Sequence, residues 1–168
     1  MSLTLHAEIV IDASEVTLES MALLRDKLAD FSPVLTDIGS LIEEGLAKNF
    51  ETQGYGSWAA LSASTQASKE RGDYAGMPPL VRTGDLKAAL TERDAPGHKF
   101  IVEPNSLTVG VLGDAIPYAG YLDSGTGRMP ARMLITVTPG TLEKIVQAIL
   151  DWLSVGDAAR VYIAHGVA

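Results

Sequence analysis

The chain has 168 residues, 46% of them hydrophobic, which suffices for one buried core, and a formal net charge of −8. It has no cysteine, which excludes disulfide frameworks and Cys-ligated zinc or iron–sulfur sites, and a reducing compartment suits it. No run of about 18 apolar residues occurs and the first residues carry neither a basic nor an apolar leader pattern, so the expectation is a protein that is neither exported nor membrane-spanning.

The charge is uneven. Residues 1 to 45 hold nine acids against Arg25 and Lys27, a surplus of seven, while the remainder is nearly neutral. An acidic chain repels phosphate, which argues against sequence-specific nucleic acid binding; an acidic channel would still allow passive contact with DNA sliding through it.

Leu3, Leu5, Ala7, Ile9 and Ile11 alternate with Thr4, His6, Glu8, Val10 and Asp12, and this period of two predicts a half-buried strand over 3–11. Apolar residues three and four apart then predict two helices, from Val16 to about Asp30 and from Ser32 to about Glu51, with Ser32 as N-cap and Pro33 at the first helical position. Gln53 to Trp58 is a glycine-rich turn leading to an aromatic anchor, and Trp58 reads as a lid on the core. Ser62 caps a short polar helix reaching Arg71, and Gly72 to Pro79, rich in glycine and proline, reads as a mobile loop.

Thr83 is placed to cap a helix containing Leu86, Ala89 and Leu90, with Gly84 allowing a close backbone approach. Lys99 to Glu103 and Leu107 to Leu112 flank a Pro104-Asn105-Ser106 turn and predict an antiparallel hairpin burying Ile101, Val109 and Val111. Pro117 to Leu122 reads as a short helix with Tyr118 and Tyr121 on one side, ended by a flexible loop from Ser124 to Pro130. Met133 to Thr138 is expected to be a strand. An amphipathic helix follows whose stripe runs Leu142, Ile145, Val146, Ile149, Leu150 and Leu153, centred on Val146 and Ile149. The tail beyond Leu153, with its Arg160 to Ile163 run, is either a late strand or an arm reaching a neighbour. The predicted fold class is α+β: a single domain over 1–153 with a small antiparallel or mixed sheet packed by two to three main helices, and a C-terminal arm over 154–168.

Residues of chemical interest are sparse. His6, His98 and His165 are far apart and lack metal-ligand spacing. Ser124 lacks the glycines of a nucleophile elbow, since position 122 is Leu and 126 is Thr. Gly125-Thr126-Gly127 lacks the third glycine of a dinucleotide fingerprint, and no P-loop occurs. Asp114, Asp123 and Glu103 read as scattered surface acids. No catalytic, cofactor-binding or metal residues are therefore predicted.

Trp58, Leu61 and Ser62, then Thr83-Gly84-x-Leu86, then Tyr118-Ala119 with Gly125, then Arg132-Met133-Leu134 occur in an order and spacing that resembles the bacteriophage virion morphogenesis family, the tail completion proteins of Mu-like and P2-like phages. The resemblance covers about residues 40 to 153; where the family tends to carry Pro-Phe after the arginine, this chain has Met133-Leu134. It implies a non-enzymatic structural protein without cofactor, forming an oligomeric ring such as a hexamer. The implied partners are head-connector proteins and tail-tube or tail-terminator proteins. The implied place is the head–tail junction of the virion, reached from the host bacterial cytoplasm during assembly. Tyr118, Tyr121, Arg128 and Arg132 are the expected ring or tail contacts, because Tyr and Arg often anchor interfaces; the competing expectation is that the two tyrosines pack the core. Two other classes are a small soluble hydrolase or transferase using Ser124, Asp123 and His98, and a monomeric binding module.

Overall fold

A computed structural model describes the backbone of residues 2–3, 8–12, 18–154 and 160–164, and the side chains of residues 18–154. In chain order the elements are β1 (Ser2–Leu3), β2 (Glu8–Asp12), α1 (Leu18–Ala29), α2 (Ser32–Glu51), α3 (Ala63–Glu70), α4 (Asp85–Thr91), β3 (His98–Glu103), β4 (Ser106–Val111), α5 (Ala119–Ser124), α6 (Pro139–Leu153) and β5 (Arg160–Ala164). This is the expected α+β class. The strand predicted over 3–11 is two strands with different partners. β1 joins a three-stranded sheet of order β1-β4-β3, with Ser2 opposite Gly110 and Leu3 opposite Val109. β2 pairs antiparallel with β5, from Glu8 opposite Ala164 to Asp12 opposite Arg160. Residues 4–7 of the predicted strand lie outside the described residues, whereas the late-strand reading of the tail holds for Arg160–Ala164.

Helix α2 is the long core element. Val34, Ile38, Ile42, Leu46 and Phe50 recur every four residues, and all are buried. Burying each such side chain is worth roughly 1.5–3 kcal/mol. Its start differs from expectation: Ser32 is already helical, and its backbone N–H donates to Asp30 Oδ1 at 2.9 Å, so Asp30 supplies the cap. Hydrogen bonds from the Ser32 side chain and then from its backbone N–H hold the Asp30 carboxyl below its usual range.

The chain forms two compact units. One contains β1, Ile42–Phe100 and Val109–Val137. Its core is built on Leu46, Phe50, Leu86, Leu90, Val109, Ile116 and Leu134. The other contains α1, the N-terminal half of α2, the hairpin tip Ile101–Thr108, α6 and the β2–β5 ribbon. Here Leu24, Val34, Ile38, Ile145 and Leu153 are buried, Phe31 N–H donates to Pro104 O at 2.7 Å, and the Lys27 ammonium donates to Trp152 O and Ser154 O. A cation on the last carbonyls of α6 complements that helix's dipole.

Several local expectations are corrected. Ile101 is exposed while Val109 and Val111 are buried, because β3 turns its even-numbered residues, Phe100 and Val102, toward cover. On α6, Ile145 and Leu153 are the buried positions and Val146 and Ile149 are only half-covered. Thr138 caps this helix, its Oγ1 accepting from Thr141 N–H at 3.1 Å, with Pro139 in the first turn. The N-cap of α4 is Gly84, not Thr83. Gly84 has φ 97° and nothing would lie within 4 Å of an added Cβ, so its glycine serves the left-handed backbone and not close packing.

Candidate functional site

Residues 131–138 form no strand. The backbone groups of Met133 and Leu134 meet side chains instead of a ladder, while Arg132 N–H donates to Leu122 O. Asn49, fully buried on α2, donates through Nδ2 to Met133 O at 3.2 Å and Leu134 O at 2.9 Å. Trp58 Nε1 donates to Met133 O at 3.0 Å, and Leu134 N–H donates to Asp123 Oδ1 at 2.7 Å. Trp58 is the core lid that was expected: it is buried and stands edge-on to Phe50, with centroids 5.4 Å apart. A Cβ at Gly54, φ 73°, would lie 2.2 Å from the indole Cδ1, so this turn is glycine because the ring occupies the space.

Arg132, expected as a ring or tail contact, belongs to the same knot. It is only 5% exposed. Nε and Nη2 donate to Ala59 O at 3.0 and 2.9 Å, and Nη2 also donates to Ala60 O at 3.1 Å. The loop before it is tight: Thr126 and Met129 form a bridge, and a Cβ at Gly125, φ 75°, would lie 2.6 Å from Ala131 N.

Beside this knot, within the same unit, lies a groove of about 780 Å³. Leu61, Leu80, Val81, Leu86, Leu122 and Met129 supply its apolar walls, and Tyr74 and Tyr118 its aromatic ones. Lys69, Arg82, Arg128 and Arg132 also line it, against a single carboxylate, Asp85. One wall is stapled by Lys69, whose Nζ donates to Met77 O at 3.0 Å and to Pro78 O and Val81 O at 2.8 Å each. Burial, and then the nearby Arg82 charge, hold the Lys69 ammonium below the usual lysine range. Leu80 sits at φ 64°, a conformation that costs a non-glycine residue about 1–2 kcal/mol and persists where surrounding bonds impose it. The stretch 72–79 read as a mobile loop has no regular structure, but this staple ties it to α3. Arg82 stacks over Tyr74, its guanidinium carbon 4.9 Å from the ring centroid.

Of the four expected contact residues, the structure brings Tyr118, Arg128 and Arg132 to this groove, and Tyr121 lies outside its lining. Tyr118 and Tyr121 are 44% and 65% exposed, so they do not pack the core. Arg128 is exposed. The residues that sequence reasoning passed over are Asn49 and Lys69. Asn49 was detectable as an amide between the apolar Leu46 and Phe50 of α2; Lys69 carried no signal, because its acceptors come from an aperiodic loop.

Ser124, Asp123 and His98 do not hydrogen-bond to one another. Ser124 Oγ donates to Gly120 O, Asp123 accepts from Leu134, and His98 Nδ1 lies 3.0 Å from Ala89 O. A carbonyl only accepts, so Nδ1 carries a proton. Glu43 receives Arg93 Nε at 3.1 and 3.0 Å, and His98 Nε2 stands 3.2 Å from Glu43 Oε1, within ion-pair reach though off the line of a hydrogen bond. This cluster, in which Glu43 and the His98 ring are buried and the exposed Arg93 also lies 4.0 Å over the Phe100 ring, ties α2 to the base of the hairpin. No group of three or more His, Asp or Glu suited to a metal occurs among the described residues, and none of their helices is long and apolar enough to cross a membrane. His6 and His165 lie outside the residues whose side chains are described.

Comparison of the chain with protein-family models, with curated proteins and with solved structures gives no match.

Proposed function

We propose that the protein is a tail completion protein of a bacteriophage, a ring-forming structural subunit that finishes the proximal end of the tail for joining to the head connector. Its other partners in this reading are copies of itself and tail-tube or tail-terminator proteins, and its site of action is the head–tail junction. The order and spacing of the Trp58, Thr83-Gly84, Tyr118-Ala119 and Arg132-Met133 stretches support it. All four fall in one compact unit, where Trp58 and Asn49 share the Met133 carbonyl. The observation that carries the contact role is the exposure of Tyr118, Tyr121 and Arg128, since aromatic and arginine side chains without cover are suited to anchoring a neighbour. A ring uses two different surfaces of each subunit, and the acid-rich first 45 residues offer a complement to Arg128.

Light scattering after size exclusion tests this on the wild type, Tyr121→Asp and Arg128→Glu, at low and high salt, with and without purified tail tubes. The expected result is a wild-type oligomer that either substitution weakens. A wild type that stays monomeric at all concentrations, including with tail tubes, overturns the reading.

A further inference from the structure

We propose that the groove is a receptor for a short acidic segment of a partner protein, one that presents a large apolar side chain between carboxylates. This requires no ring and rests on the groove alone. The two less exposed of its cations are already spent: the Lys69 ammonium on three carbonyls and the Arg132 guanidinium on those of Ala59 and Ala60. A metabolite site needs convergent free polar groups inside the cavity. Here the free donors are instead at the rim. Arg82 and Arg128 are exposed and form no ion pair among the described residues, while the floor is half-buried leucine and methionine, Leu61, Leu80, Leu122 and Met129. An apolar floor inside a polar rim is the anatomy of a protein-docking surface.

Charge selects the occupant. Four cations line the groove against Asp85, in a chain whose net charge is −8, so positive potential is concentrated where the apolar surface is. Guanidinium groups match carboxylates in planar, two-bonded geometry. A nucleic acid fits less well, because the rest of the chain carries a surplus of acids that a polyphosphate extending beyond the groove would meet. The staple from Lys69 and the left-handed Leu80 keep the wall in place before any partner arrives, which lowers the ordering cost of binding.

The probe is a fluorescein-labelled heptapeptide alternating glutamate with leucine, followed by fluorescence anisotropy against the full chain. Control peptides alternate lysine with leucine and glutamate with serine, and a single-stranded oligonucleotide is a third control. The acidic apolar peptide should bind at least about tenfold more tightly than each control, weaken with salt, and lose about tenfold in affinity in Arg82→Glu and again in Arg128→Glu. Equal binding of the lysine peptide or the oligonucleotide, or unchanged affinity in both variants, overturns the proposal. A peptide that binds only once a wild-type oligomer has been diluted to monomers assigns the groove to a second copy and also overturns it. A monomer that binds the acidic peptide upholds the receptor and removes the ring; an oligomer that never binds the peptide does the reverse.

Discussion

The Arg132 guanidinium lies on the Ala59 carbonyl through two nitrogens, at 3.0 and 2.9 Å, and so joins the segment after Trp58 to the segment after the Gly125 turn. These carbonyls have no ladder partner, and a hydrogen bond from a charged group to such a site contributes about 1.5–3 kcal/mol. Arg132→Ala should therefore lower unfolding free energy by about 2–3 kcal/mol, whereas Arg128→Glu, fully outside this knot, should stay within about 0.5 kcal/mol. Denaturant titration of the two variants separates them. Equal midpoints would mean that the arginine's bonds are replaced by water.

A second pair isolates the turn before Trp58. Gly54 and Gly56 share positive φ, 73° and 81°, but only at Gly54 would a Cβ meet the indole; at Gly56 nothing lies within 4 Å. Alanine at Gly56 should cost about 1–2 kcal/mol for the left-handed backbone alone, and alanine at Gly54 at least about 1–3 kcal/mol more through displacement of the ring. Near-ultraviolet circular dichroism should change in the second variant only. A Gly54→Ala variant as stable as Gly56→Ala would show that Trp58 can move out at no cost.

What was legible in the sequence was whatever repeats. The four-residue spacing from Val34 to Phe50 gave α2, the stripe from Leu142 gave α6, and the β-branched runs around Pro104-Asn105 gave the hairpin. What was not legible depended on phase or on distant partners. Ile101 and Val102 are both β-branched and adjacent, so composition could not say which one faces inward. Met133 to Thr138 has a strand-like composition, but its carbonyls meet Asn49 and Trp58, more than 70 residues earlier in the chain, before any neighbouring strand. Arg132 is of a residue type that often anchors interfaces, but its burial follows from acceptors at Ala59 and Ala60 that no local pattern announces.

The phase of α6 gives a third prediction. Ile145 is 3% exposed, while Ile149 is half-covered. Ile145→Ala should cost about 2–5 kcal/mol, and Ile149→Ala distinctly less, because its site is already partly open to solvent. Thermal unfolding of both variants tests the order. A reversed order would mean that the helix is rotated by about one position in solution.

The Lys69 staple gives a prediction with a pH sign. Its folded-state pKa lies below the ordinary 10.5, chiefly through burial. Between the folded value and 10.5 the unfolded chain binds more protons than the folded one, so this group's contribution to stability rises as pH rises through that window. Below the window the contribution is constant and least favourable, because the folded state must hold a desolvated ammonium. Lys69→Met keeps the length of the side chain, removes both the charge and the donors to Met77, Pro78 and Val81, and so frees the wall that carries Leu80. The stability advantage of wild type over Lys69→Met should be larger at about pH 10 than at pH 7, read as the difference in urea midpoints, in which the other titrating groups cancel. In the same variant, limited proteolysis should nick faster at Tyr74, since the staple no longer holds residues 77–81 to α3. A midpoint difference that shrinks with pH would show that the ammonium gains more from its three carbonyls than it loses by burial. Unchanged proteolysis would show that the wall stands without them.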